Sequence, residues 1–204
     1  AAFRKHAAEA DGPHTLLRLA AQEAEARFLA DRKRPPSERY EIPTASVLVA
    51  RFGVGHVDIA DVGDCAIHIR SRDGMARLMS GGSGRSPDVI AFLRRVRNKA
   101  NTPGGYAIFA PDAASAEAVR LAHHGFDGPC EGLLLTDGFE AAIDDYALFG
   151  SAELLDAARH GLRHPLQSLR KVERDDPDCI RFPRFKPSDD ATALYLRYDS
   201  IQTD

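Results

Sequence analysis

The spacing of hydrophobic and polar positions changes several times along the chain. Leu16, Leu17, Leu19, Ala20, Ala24, Phe28 and Leu29 recur at helical intervals between an Asp11-Gly12-Pro13 break and the polar run Arg32-Lys33-Arg34-Pro35-Pro36. That predicts a helix over 14–31, entered through Pro13 at its first position. An Ala-rich helix over 1–10 precedes it. From Thr44 the period falls to two. Strands are expected over 44–52, 56–62, 65–71 and 75–79, separated by Gly53-Val54-Gly55, Gly63-Asp64 and Arg72-Asp73-Gly74. In the third of these, Ile67 and Ile69 alternate against His68 and Arg70, and the four read together as an antiparallel meander. Ser80-Gly81-Gly82-Ser83-Gly84 reads as a linker or flap, since it lacks the Lys-Ser/Thr of a phosphate-cradling loop. Helices are expected over 87–99, with a basic face, and 113–121, with a short strand over 106–109 between them. The apolar run Gly132-Leu133-Leu134-Leu135 then ends in Thr136-Asp137-Gly138. Helices over 139–145, 151–159 and 166–173 follow, and a last strand covers 191–198. Helices, clustered strands, more helices and a final strand suit an α+β domain whose helices cover packed sheets.

Bulk properties narrow the class without naming a function. The 204 residues suffice for one domain of ordinary size, 1–204. A net charge of −3 provides no field for nucleic acid or an anionic membrane, and neither partner is expected. No apolar stretch approaches the ~20 residues of a spanning helix. Cys65, Cys130 and Cys179 are widely spaced and odd in number. They read as free thiols in a reducing, cytoplasmic compartment. Oligomeric state is not encoded in any recognisable pattern.

The chemistry concentrates at strand ends. Asp137-Gly138 leaves one strand, Asp189-Asp190 enters the last, and Gly63-Asp64 joins two strands of the meander. Aspartates fixed at such positions offer the oxygen ligands that Mg²⁺ or Mn²⁺ prefer. The eight histidines form no softer cluster, and His123-His124, being adjacent, cannot share one helix face. A strand stop or a capped turn is the plain alternative for each Asp.

Three of these segments, in order, resemble signatures of the PP2C-type metal-dependent Ser/Thr protein phosphatases: Val62-Gly63-Asp64-Cys65, Leu135-Thr136-Asp137-Gly138-Phe139 and Ser188-Asp189-Asp190-Ala191-Thr192. Asn101-Thr102-Pro103-Gly104-Gly105-Tyr106 is similar to bacterial members. The resemblance implies a four-layer α-β-β-α sandwich of two antiparallel sheets flanked by helices. It also implies two Mg²⁺ or Mn²⁺ ions that activate water against a phosphoserine or phosphothreonine protein substrate. Matched residue by residue, Asp137 and Asp189 fall on metal-ligand positions, with no catalytic side chain beyond the ligands. Gly63, Asp64, Gly138, Asp190 and Thr192 fall on supporting positions. The family's upstream acidic strand, phosphate-binding Arg and strand-terminal Asp-Gly have no counterpart in this sequence, which is expected to begin in the family's first helix. Two functions follow as expectations: a metal-dependent phosphoprotein phosphatase, or a catalytically inactive phosphatase-like domain that binds a partner.

Overall fold

Pro13 does start the first long helix. The computed structural model describes residues 2–79, 95–184 and 186–199. The chain divides into two compact units, Ala1–Gly63 with Asp88–His124 and Asp64–Pro87 with Gly125–Asp204.

In the first unit a short helix α1 (Ala2–His6) leads to α2 (Pro13–Asp31), with Gly12 as the extended N-cap residue. Helix α2 packs on β1 (Val47–Gly53) and β2 (His56–Val62) and buries Leu17, Ala20 and Ala21. The expected stripe was too wide, for Leu29 is 50% exposed. Strands β1 and β2 pair antiparallel through the Gly53–His56 turn, where Gly55 takes a positive φ of 73°. The third strand of this sheet, β5 (Arg120–Gly125), comes from far along the chain and gives the order β1-β2-β5. Its first two residues overlap the helix expected over 113–121. Of that expected helix only a 3-10 turn, Ala113–Ala116, forms, and the chain is in β5, beside β2, from Arg120. The expected strand over 106–109 reduces to a single bridge between Ala45 and Phe109. The expected helix over 87–99 lies largely outside the described residues, of which 95–98 are helical; the 80–84 flap lies wholly outside them.

The second unit holds a four-stranded antiparallel sheet in the order β4-β3-β6-β7. Its strands are β3 (Ala66–Ser71), β4 (Gly74–Leu78), β6 (Cys130–Leu135) and β7 (Ala193–Tyr198). The sequence suggested one continuous meander, but β2 and β3 belong to different sheets. The chain changes sheet at Gly63-Asp64-Cys65. Helices α3 (Asp137–Asp144), α4 (Ser151–Arg159) and α5 (Arg163–Asp175) follow β6. Leu133, Leu135, Phe139, Leu154, Leu155 and Ala158 form a core in which the strand and helices meet. Helix α4 is capped at Gly150, where the Glu153 carboxylate accepts the Gly150 N–H at 2.7 Å.

The fold class is therefore α+β, with two antiparallel sheets and their helices. The three cysteines are free thiols. Among the described residues no helix is long and apolar enough to cross a membrane.

Candidate functional site

The C-terminal end of β6 is where apolar burial stops and acidity begins. Leu133 and Leu135 are buried in the core, and the register pairs Leu135 with Ala193 of β7 and Ala66 of β3. The two chains stay joined just beyond the sheet. The Thr136 N–H donates to the Thr192 carbonyl at 3.0 Å, and the Thr192 N–H donates to Thr136 Oγ1 at 3.0 Å. Thr192 thus ties the segment carrying Asp189 and Asp190 to the segment carrying Asp137.

Thr136 is the N-cap residue of α3 and Asp137 its first residue, so the carboxylate sits at the positive end of a helix. Burial nevertheless pushes the Asp137 carboxyl above the ordinary Asp value. The negative charges of Asp64 and Asp189 add to the shift, while the Gly138 N–H and the Lys186 ammonium oppose it. Two sequence-predicted acids, Asp64 and Asp189, therefore each lie within electrostatic reach of Asp137, all three in the second unit.

Gly138 earns its place by close packing. A Cβ there would fall 3.0 Å from Asp189 Cβ and closer still to the Asp190 carbonyl oxygen. It lies within α3 and is not among the described glycines with a positive φ. Gly63 is the conformational glycine: its φ is +113°, and a Cβ would collide with Ser46. Arg120 donates to the Gly63 carbonyl at 3.0 Å and to the buried Asp61 carboxylate at 2.9 Å, fixing the peptide that precedes Asp64.

Asp189 is organised by its neighbours. Its Oδ1 accepts the Asp190 N–H at 2.7 Å and the Lys186 ammonium at 2.6 Å. The Lys186 side chain has a raised pKa, chiefly through that hydrogen bond and then through the charges of Asp189, Asp190 and Asp137. Asp190 contributes its backbone here, in the N–H to Asp189 and the carbonyl over Gly138. The loop leading to Lys186 is anchored by Asp176, whose carboxylate accepts the N–H groups of Ile180, Arg181 and Phe182, each at 3.0 Å, and a guanidinium bond from Arg184 at 2.6 Å.

Two features escaped the sequence reading. Lys186 had no motif to mark it. His68, paired in the alternation with outward positions, is fully buried because helices cover that face of the sheet. Its Nε2 lies 3.0 Å from both carboxylate oxygens of Glu140, one helical turn after Asp137, and Arg77 also reaches Glu140 at 2.6 Å. His68 Nδ1 is buried with no hydrogen-bond partner among the described residues.

The donor set is carboxylate oxygen, which suits a hard divalent cation in type. In number it falls short: among the described residues no group of three or more His, Cys, Asp or Glu side chains is placed to hold a metal ion.

No family model matches the chain, and no curated protein sequence matches it. Solved structures do. The Mycobacterium tuberculosis serine/threonine phosphatase PstP/Ppp is 11% identical, with a TM-score of 0.52, covering 88% of this chain and 68% of that one. PppA, a key regulatory component of T6SS in Pseudomonas aeruginosa, is 12% identical at a TM-score of 0.50, covering 91% of this chain and 68% of its own. A structure of the PstP catalytic domain in complex with 2 manganese ions is 10% identical at a TM-score of 0.48, covering 89% and 68%. The chain has the fold of the PP2C-type Ser/Thr phosphatases.

Proposed function

We propose that the chain acts as a metal-dependent phosphoprotein phosphatase, with Asp137 and Asp189 as ligands for Mg²⁺ or Mn²⁺. The observation that carries this reading is the close packing of the Asp189–Asp190 segment on Gly138, beside which burial first, and then the charges of Asp64 and Asp189, raise the Asp137 carboxyl against its helix dipole. Fixed like charges destabilise a fold unless a cation compensates them. The phosphatase fold supplies the reaction class by analogy.

The chain's own residues supply placement. Thr136 and Thr192 hold the two acidic segments side by side, and Gly138 lets them approach more closely than any side chain would permit. The Asp190 N–H and Lys186 orient one oxygen of Asp189. A divalent ion, when bound, would neutralise the acids and lower the pKa of a coordinated water. The substrate proposed with this reading is a phosphoserine or phosphothreonine protein. Asp64, Asp190, Thr192, Gly63 and Gly138 act as supports.

Lys186 favours a second reading. Its ammonium already supplies a positive charge to Asp189, as it would in a phosphatase-like domain that binds a partner without turnover. Hydrolysis of p-nitrophenyl phosphate by the full-length protein, with Mn²⁺ and with chelator, separates the two. Metal-dependent turnover that falls at least a hundredfold in Asp137→Asn and Asp189→Asn supports the enzyme. Turnover that is absent, or unchanged in Asp137→Asn, refutes it.

A further inference from the structure

The end of the four-stranded sheet opposite Asp137 carries a second, oppositely charged feature. Register places Arg70 of β3, Glu131 of β6 and Arg197 of β7 directly across from one another, so the three side chains share one face of the sheet. Arg159, the last residue of α4, reaches the same row. Together with Arg72 and Tyr195 they line a solvent-open cavity of about 780 Å³. Glu131 and Asp137 are six residues apart, which along a strand is about 20 Å.

The cavity's one lining carboxylate is already saturated. Glu131 Oε1 accepts Arg159 Nε at 2.5 Å and the Tyr195 hydroxyl at 2.5 Å. Its Oε2 accepts Arg70 Nε at 3.0 Å, Arg70 Nη2 at 2.8 Å and Arg159 Nη2 at 2.6 Å. These bonds fix two guanidinium planes in the wall, and their remaining N–H groups have no acceptor in the lining. Arg70 Nη1 instead reaches Asp156 at 2.9 Å, an acid that is 59% exposed. Arg72 is held loosely, 3.7 Å from Asp127, and Arg197 pairs through Nε alone with the exposed Asp199 at 3.0 Å. Four guanidinium groups and one carboxylate line the cavity, and the other acids that pair with these arginines, Asp156, Asp127 and Asp199, lie outside the lining. Two of the four are preorganised, and the other two can turn inward. Guanidinium groups are donors only and match oxyanions in paired geometry.

We propose that this cavity binds a small, multiply charged phosphate compound at a site separate from the acidic cluster. Its volume lies in the range of small-molecule pockets, and an inorganic phosphate alone would leave most of it empty. Arg70 and Arg159 form the rigid floor, Arg72 and Arg197 close over the ligand, and Asp156 competes with it for Arg70.

Inorganic pyrophosphate titrated into the full-length protein in chelator, followed by amide chemical shifts, tests this without any contribution from a metal at Asp137. The expected result is saturable shifts confined to 70–72, 130–131, 159 and 195–197. Affinity should fall about tenfold in Arg72→Ala and in Arg197→Ala, and rise severalfold in Asp156→Asn. Both arginines are exposed, so these variants should retain the fold. Absence of saturable shifts, affinity indifferent to both arginines, or weaker binding in Asp156→Asn overturns the proposal. So does a doubly phosphorylated peptide binding here more tightly than pyrophosphate, which would make the cavity a protein-docking site. Loss of phosphatase activity in Asp137→Asn leaves this result untouched, so the two proposals fail separately.

Discussion

Replacing Gly138 by alanine sets two opposing terms against each other at the centre of the acidic cluster. Alanine is the better helix former, worth about 1 kcal/mol in a helix interior and less in the first turn, where Gly138 lies. Against that, the new Cβ would stand 3.0 Å from Asp189 Cβ and well inside contact distance of the Asp190 carbonyl oxygen. The obstructing oxygen is backbone, tied in by the Thr136–Thr192 bonds, so no flexible side chain can move aside. Overpacking of this kind costs about 1–3 kcal/mol. The clash wins, and the variant should lose about 1–2 kcal/mol. For a chain of 204 residues that is a fall in Tm of about 2–8 °C. Urea unfolding followed by circular dichroism measures it. The same displacement separates Asp137 from Asp189, so affinity for Mn²⁺ should fall as well. A variant as stable as the parent, or more stable, would show that α3 and the 189–190 segment are not in the close contact described.

Three further outcomes follow from buried charge. Asp137→Asn removes a charge that burial, Asp64 and Asp189 all disfavour, so the metal-free variant should melt above the parent while losing its response to Mn²⁺; a lower metal-free Tm contradicts this. Glu131 is held down to about 2 from 4.5, first by its Arg159 bond and then by Tyr195 and Arg70. A depressed folded pKa means stability that is present above the unfolded value and lost as pH falls from about 4.5 toward 2. On the order of 3 kcal/mol should disappear across that window in the parent and not in Glu131→Gln, and a stability difference independent of pH would refute it. His68→Leu and Glu140→Leu should be non-additive in urea unfolding, with a coupling of about 1 kcal/mol or more, because each leaves the other's buried polar group exposed to an apolar partner; simple additivity would deny the pair.

What could be read from the sequence was local. The turns at Gly53–Gly55 and Arg72–Gly74, the Pro13 helix start and the buried strand before Asp137 are each written in a few adjacent residues, and the structure has them within a residue or two. What depended on distant partners was not legible. Strand β5, which no local pattern announced, takes its strand character from β2, about sixty residues earlier. The break in the meander arises for the same reason, because β2 and β3 find their other neighbours in β5 and β6. The burial of His68 was not legible in its alternation with Ile67 and Ile69, because this sheet is covered there by helices. At the candidate site the strand-end aspartates were legible as oxygen donors. The Lys186 ammonium on Asp189 and the contact role of Gly138 were not, since both depend on how the 186–192 segment lies against α3.

The central claim is that Asp137 and Asp189 hold a divalent cation. Paramagnetic broadening of backbone amides by Mn²⁺ tests it directly, because it detects even weak binding and needs no turnover. The account predicts broadening centred on 137–140 and 188–192, reversed by excess Mg²⁺ and abolished in both Asp137→Asn and Asp189→Asn. Broadening that is absent, is centred elsewhere, or survives both substitutions would contradict it.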